Sequence, residues 1–326
     1  MKLALILSGL LLALFTASLC LGSVAITPVA ALSALLGWGD PLHIMILQEI
    51  RLPRALLAAM VGGSLGLSGA AMQGYLRNPL AEPGLIGVSG AAALGAVIAL
   101  QTGIATLFTL ALPLSALLFA LAAVGLILLL AGPRGGSMTL ILAGIAISAL
   151  AGALTALVLN LSPNPYAASE IIFWMMGSVA DRSMEHVTLA LPVMLLGWAL
   201  LATLGRGLDA LTLGEDAAGS LGISMSSLRL RLLIGTAAAV GAATAVAGAV
   251  GFVGLIVPHL LRRVTQGRPS ALLWASTLGG ASMVLAADIT VRLVLPTRDL
   301  KLGVVMALIG APLFLHLIYR TRKELP

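Results

Sequence analysis

The sequence predicts an all-α polytopic membrane protein, a single transmembrane domain over residues 1–326 that crosses the bilayer about ten times. Three observations carry this prediction. Sixty per cent of the residues are hydrophobic and 9% are charged, whereas a soluble domain carries about a quarter charged residues to cover its surface. The mean hydropathy is +1.11. The apolar residues also fall in runs of about 20, the length a helix needs to cross ~30 Å of hydrocarbon.

The first run, 3–22, begins behind Lys2 and holds the only cysteine, Cys20. Its length and the runs that follow favour a retained helix over a cleaved leader, and one cysteine leaves no internal disulfide. Runs at 54–74, 85–101, 107–131 and 138–160 follow, then 187–204 and 228–250. The run 251–263 is too short to span, and Gly251, Gly254 and Pro258 predict a broken segment. Irregular backbone survives at that depth only when protein or a cavity covers it. Runs at 271–294 and 303–319 complete the set.

Three longer connections separate the runs. In 23–53, Asp40-Pro41 opens an amphipathic stretch to Ile50, predicted as a helix on the membrane surface. In 161–186, Pro163, Asn164 and Pro165 break the chain before Glu170–Ser178. In 205–227 a short helix is expected, with Gly214, Gly219 and Gly222 marking its flanks. Small-residue spacings such as Gly62-x-x-x-Gly66 and Gly248-x-x-x-Phe252-x-Gly254 let helix backbones approach closely.

The formal net charge of +6 lies in the breaks rather than on one face, which argues against a nucleic-acid footprint. With both termini cytoplasmic, twelve basic residues fall inside (Lys2, Arg77, Arg134, Arg206, Arg229, Arg231, Arg262, Arg263, Arg268, Arg320, Arg322, Lys323) and six outside (Arg51, Arg54, Arg182, Arg292, Arg298, Lys301). The positive-inside rule selects that orientation.

Nothing in the sequence supports catalysis. There is no phosphate-binding loop for ATP, no nucleophile–base set, and the four histidines are scattered without metal-ligand spacing. The chain is expected to be no enzyme and to bind no cofactor or metal. Asp288 and Arg292 stand four apart and can pair across one helical turn, as a structural pair or as part of a binding surface. A proton-driven carrier needs ionisable groups along its path, and the first eight runs hold essentially none. That favours an externally powered transporter; the alternative is a self-contained channel or secondary carrier.

Several local strings add a more specific signal. They are Arg51-Leu-Pro-Arg54, Arg77-Asn-Pro-Leu-Ala-Glu-Pro-Gly-Leu-Ile-Gly-Val-Ser89, Phe173-Trp-Met-Met-Gly-Ser178, Leu213-Gly-Glu-Asp-Ala-Ala-Gly-Ser-Leu-Gly222, Gly251-Phe-Val-Gly-Leu-Ile-Val-Pro-His-Leu-Leu-Arg262 and Ala286-Ala-Asp-Ile-Thr-Val-Arg292. Taken singly, each reads as a tight turn, a surface helix or a kinked span. In this order, over about Arg51–Tyr319, they resemble the permease family of ATP-binding-cassette (ABC) importers for iron–siderophore complexes, haem and cobalamin.

The resemblance implies a type II ABC importer permease fold in the bacterial inner membrane. It also implies a second copy or paralogue of the permease, two cytoplasmic ATPase subunits that hold ATP and Mg, and a periplasmic substrate-binding protein above. Arg51, Arg54 and Arg292 match positions that receive acidic residues of the binding protein. The segment 211–223 matches the coupling helix that docks in the ATPase, with Leu213, Gly214, Glu215, Ala218, Gly219, Leu221 and Gly222 as its contact residues. Asn78, Leu80, Ser137 and Met138 match the inner constrictions, although cobalamin members carry small hydroxyl residues where this chain has Ser137 and Met138. The Ala81-Glu82-Pro83-Gly84 turn is nearer to cobalamin and haem members than to many siderophore members.

Overall fold

Hydrocarbon offers no partner to a backbone N–H or C=O, so a chain this apolar satisfies those groups within helices. The computed structural model describes residues 2–108, 110–132, 136–162, 165–294 and 300–324, and among them there is no strand. Pro163, Asn164 and the loop cations Arg134 and Arg298 lie outside the described residues.

The helices run in chain order as α1 (Lys2–Cys20), α2 (Pro28–Leu35), α3 (Pro41–Met45), α4 (Leu52–Leu76), α5 (Val88–Gln101), α6 (Ala111–Ala131), α7 (Ser137–Asn160) and α8 (Pro165–Met175). They continue as α9 (Met184–Ala202), α10 (Gly205–Leu211), α11 (Glu215–Ser220), α12 (Met225–Ala247), α13 (Val253–Arg262), α14 (Pro269–Val294) and α15 (Leu302–Glu324). Among the described residues, seven helical stretches are long and apolar enough to cross a membrane, and three shorter apolar helices accompany them. At 1.5 Å per residue α5 is only ~21 Å long and α13 ~15 Å, short of the ~30 Å hydrocarbon layer.

One expectation changes. The stretch opened by Asp40 is not a separate surface helix: α3, capped by Asp40 through its 2.9 Å bond from the Leu42 amide, continues through a π-helical turn, Ile46–Arg51, into α4. Pro53 has no N–H to give the carbonyl four residues back. The helix widens just ahead of it, and the Leu52 amide donates to Leu47, five residues away.

The middle of the bundle is built on glycine. A Cβ on Gly62 or Gly66 of α4 would collide with the carbonyl oxygens of Gly280 and Ser276 on α14, so the two helices touch backbone to backbone. Gly69 meets Gly254 of α13 in the same way. Two apolar clusters fill the ends. One gathers Leu67, Tyr75, Leu201, Leu208, Leu228 and Leu272, and the other Leu19, Leu47, Val187, Val246, Leu285 and Val291. The first end carries Asp209 and the second Asp288.

Candidate functional site

At the Asp288 end, a buried carboxylate organises two of the three predicted docking arginines. Asp288 on α14 is 1% exposed. Arg54 Nη2 lies 2.8 Å from its Oδ1 and Arg292 Nη2 lies 3.1 Å from its Oδ2, while Arg54 Nε donates to both oxygens at 2.9 and 3.2 Å. Arg292 also donates to the Ser18 carbonyl at 2.9 Å and to its hydroxyl at 2.5 Å. Arg51 is buried and donates to the carbonyls of Leu19 (2.7 Å), Cys20 (2.9 Å) and Val24. These carbonyls lie at and just beyond the C-terminus of α1, where a helix leaves acceptors unsatisfied and favours cations. The cations expected at an open rim thus fasten α1, α4 and α14 together; only Arg54 and Arg292 keep a partly exposed edge.

At the other end, α4 terminates where Arg77 adopts a left-handed conformation, φ 49°. The following turn is held by Asn78, whose Oδ1 accepts the Leu80 amide at 2.9 Å. Asn78 is exposed and Leu80 half-buried. The turn then climbs through Pro83–Ile86 to the short α5, and Gly87 lies against Gly144 and Ser148 of α7. The Pro83–Ile86 turn packs against α7, and Ile86 and Leu140 belong to one apolar cluster, of which Asn78 and Leu80 are not members. Met138, in the first turn of α7, is exposed. The Ser137 side chain lies outside the description.

Sequence reasoning missed what anchors the broken segment. Glu82 Oε1 accepts the Phe252 amide at 2.9 Å, immediately ahead of α13. Phe252 itself has φ 68°, the left-handed turn that separates α12 from α13. Gln73 bridges both ends of α13: its Nε2 donates to the Leu255 carbonyl at 3.2 Å, and its Oε1 accepts from Arg262 Nη2 at 2.6 Å. A lone Gln in the apolar stretch 54–74 was the available signal.

The predicted lever resolves into two short helices, α10 and α11, joined at Gly214 (φ 107°). α11 closes with a Schellman motif: the Ile223 amide donates to the Ala218 carbonyl at 3.0 Å, the Gly222 amide to Gly219 at 2.9 Å, and Gly222 takes φ 81°. The apolar residues of 211–223 divide between two faces. Leu211 and Ala218 face inward at 1% and 0% exposure, whereas Leu213 and Leu221 stand out at 70% and 63%. Glu215 and Asp216 are exposed in the first turn of α11, where negative charge suits the helix dipole. Asp209 on α10 fastens this unit to α14. Its Oδ1 accepts the Ser270 amide at 2.8 Å, and its Oδ2 accepts the Ser270 hydroxyl at 2.7 Å and Arg268 Nε at 3.0 Å. Partial burial pushes this carboxyl up, but the Ser270 and Arg268 bonds outweigh it and hold the group below the usual carboxylate value.

The comparisons with known proteins agree with this architecture. The FecCD transport family model matches residues 10–320. The chain is 40% identical over 281 residues to the Fe(3+) dicitrate transport system permease protein FecD of Escherichia coli, covering 86% of this chain and 87% of that protein. It is 38% identical over 324 residues to the vitamin B12 import system permease protein BtuC of Vibrio cholerae, covering 98% and 94%. A solved chain described as an inward-facing conformation of a metal-chelate type ABC transporter superposes with a TM-score of 0.87 at 33% identity, covering 98% of this chain and 99% of that one. The fold, its helix ends and these likenesses agree: the chain is a membrane permease of the FecCD transport family.

Proposed function

We propose that this chain is the transmembrane subunit of an ATP-driven importer that moves a metal chelate, an iron–siderophore, haem or cobalamin complex, across the bacterial inner membrane into the cytoplasm. In this reading the Asp209 end is cytoplasmic, as are both termini, and the Asp288 end faces the periplasm. ATP and Mg belong to two separate ATPase subunits, and a periplasmic binding protein delivers the cargo. Relatives whose names specify Fe(3+) dicitrate transport and vitamin B12 import support the chelate class.

One observation carries the ATP-driven part of the proposal: the build of α10–α11. Leu213 and Leu221 project from a unit whose inner face is fixed by Leu211, Ala218 and the Asp209–Ser270 bonds. An exposed apolar pair on a rigid, acidic-tipped knob fits a protein groove and serves as a lever that a partner's motion can bias. Leu213, Gly214, Glu215, Gly219, Leu221 and Gly222 are then its contact or shaping residues, and Ala218 supports it from inside. Asn78, Leu80, Ser137 and Met138 would form the inner constriction, which Glu82 and Gln73 tie to α13. A binding protein meeting the opposite rim would find the edges of Arg54 and Arg292, with Arg51 acting beneath them.

Gly219 supplies the test, because a Cβ built there meets nothing within 4 Å. Gly219→Trp is expected to leave the helical fold intact while abolishing co-purification of the ATPase subunits and ATP-dependent uptake into vesicles. Full ATP-driven uptake by this variant would remove the lever assignment. Uptake by the isolated chain without ATPase would favour the channel or carrier reading instead.

A further inference from the structure

Among the described residues, the non-glycines with positive φ are Arg77, Asp181, Phe252 and Gln266. Three of them are polar and exposed in turns, whereas Phe252 is aromatic and half-buried. A bulky residue stays in the left-handed region only where its surroundings hold it there. The Phe252 carbonyl accepts the Leu255 and Ile256 amides at 3.2 and 2.9 Å, which ties it to the first turn of α13. Its own amide is held by a single bond, the one to Glu82 Oε1 at 2.9 Å.

The Phe252 side chain lies on the backbone of α15. A Cβ added to Gly310 would overlap its Cβ, Cγ and Cδ1. Seven residues earlier, two turns along the same face, Gly303 lies as closely against the carbonyls of Met176 and Ala249. The Gly303 amide also donates to the Gly177 carbonyl at 3.3 Å. α15 is thus fastened to the α12–α13 break at two heights. The Gly303 contact is backbone against backbone and independent of any side chain. The Gly310 contact is one aromatic ring, and the place of that ring follows φ at residue 252.

We propose that Glu82 is a latch on α15. By accepting the Phe252 amide it keeps that residue left-handed and the ring on Gly310; when the carboxylate withdraws, the ring leaves and α15 swings about its Gly303 end. Glu82 acts through Phe252 and is a positioning residue. It makes no ion pair among the described residues, so no counter-ion locks the bond. It stands two residues beyond Leu80, and a shift of the Asn78–Leu80 turn carries its carboxylate along. Pro83 seats the same turn against Gly254, on the far side of Phe252. Resting on the importer reading above, the latch couples the inner constriction to α15 through one residue with two backbone states.

The experiment reads hydrogen exchange by mass spectrometry on the full chain in detergent, at one pH. Two places are compared, the first turn of α13 (253–256) and the α15 turn around Gly310 (308–312). Glu82→Ala is expected to speed exchange at both by at least about tenfold. Glu82→Gln keeps a carbonyl acceptor and should match the wild type. Phe252→Gly separates the two ends of the latch. Glycine takes φ 68° without strain and keeps its N–H for Glu82, but the ring is gone, so α13 should stay protected while α15 loosens. An unchanged α15 in Phe252→Gly would overturn the clamp, even if Glu82→Ala does not fold. Loosening of α13 alone in Glu82→Ala would reduce Glu82 to a cap and overturn the latch. Neither ATPase nor cargo enters the measurement, so a failed latch leaves the importer reading standing, and a failed importer reading leaves the latch readable.

Discussion

Asp288 sits in a protein-covered interior with two guanidiniums on its two oxygens, and the order of removal decides the cost. Deleting the carboxylate leaves two buried cations without a counter-ion, whereas deleting one arginine leaves the other in place. Breaking a buried ion pair by removing one partner costs about 3–5 kcal/mol. Asp288→Ala is therefore expected to lose stability on that scale, and Arg54→Ala distinctly less, because Arg292 remains 3.1 Å from the carboxylate. Thermal unfolding in detergent would check this; equal losses for the two variants would contradict a shared carboxylate. The spacing of Asp288 and Arg292 made half of this cluster legible from the chain, since four residues is one helical turn. The other half was not legible, because Arg54 reaches Asp288 across 234 residues of sequence through the α4–α14 contact. The burial of Arg51 was hidden for a related reason. A cation near a helix start reads as a rim charge until the C-terminal carbonyls of α1 are seen to surround it.

Helices were legible where hydrophobic length alone defines them. The runs 54–74, 138–160 and 271–294 become α4 (Leu52–Leu76), α7 (Ser137–Asn160) and α14 (Pro269–Val294). The broken segment was foreseen from Gly251, Gly254 and Pro258, and it is α13. The π-turn before α4 was not foreseen, because its signal is one proline whose effect depends on the helix continuing through it. The α10–α14 junction was hidden likewise, since Asp209 and Ser270 are far apart in sequence. That junction should respond to pH. Asp209 titrates below its ordinary 3.8 in the folded chain, so between the folded and unfolded values the unfolded chain binds more protons and stability rises with pH. The contribution is full above about 3.8 and is lost as pH falls through the folded value. Protection factors at α10 and at the first turn of α14, taken against the intrinsic exchange rate at each pH, are expected to fall on acidification in the wild type. Asp209→Asn should show low protection there at every pH; protection in that variant that still falls with acid would place the titrating group elsewhere.

On the scale of the whole molecule, burial is uneven in a way that one chain does not explain. α4 and α12 are enclosed, while α1, α6, α7 and α9 keep broad apolar faces open. Lipid covers such faces, but the proposed importer pairs this chain with a second permease, and a twofold pair uses the same surface on both copies. The faces of α7 and α15 carry exposed Leu142 and Leu308, whereas α1 carries exposed Leu5 at the far side of the α1–α14 contact. If α7 and α15 meet a second copy, positions near the twofold axis approach their own equivalents. In a Cys20→Ser background, single cysteines at Leu142 and Leu308 are then expected to cross-link into dimers with a short bismaleimide in native membranes, and a cysteine at Leu5 is not. Cross-linking only when a paralogous permease is co-expressed would assign these faces to an unlike partner. Equal yields at all three positions would show collision in the bilayer rather than an interface, and α7 and α15 would then be lipid-facing like α1.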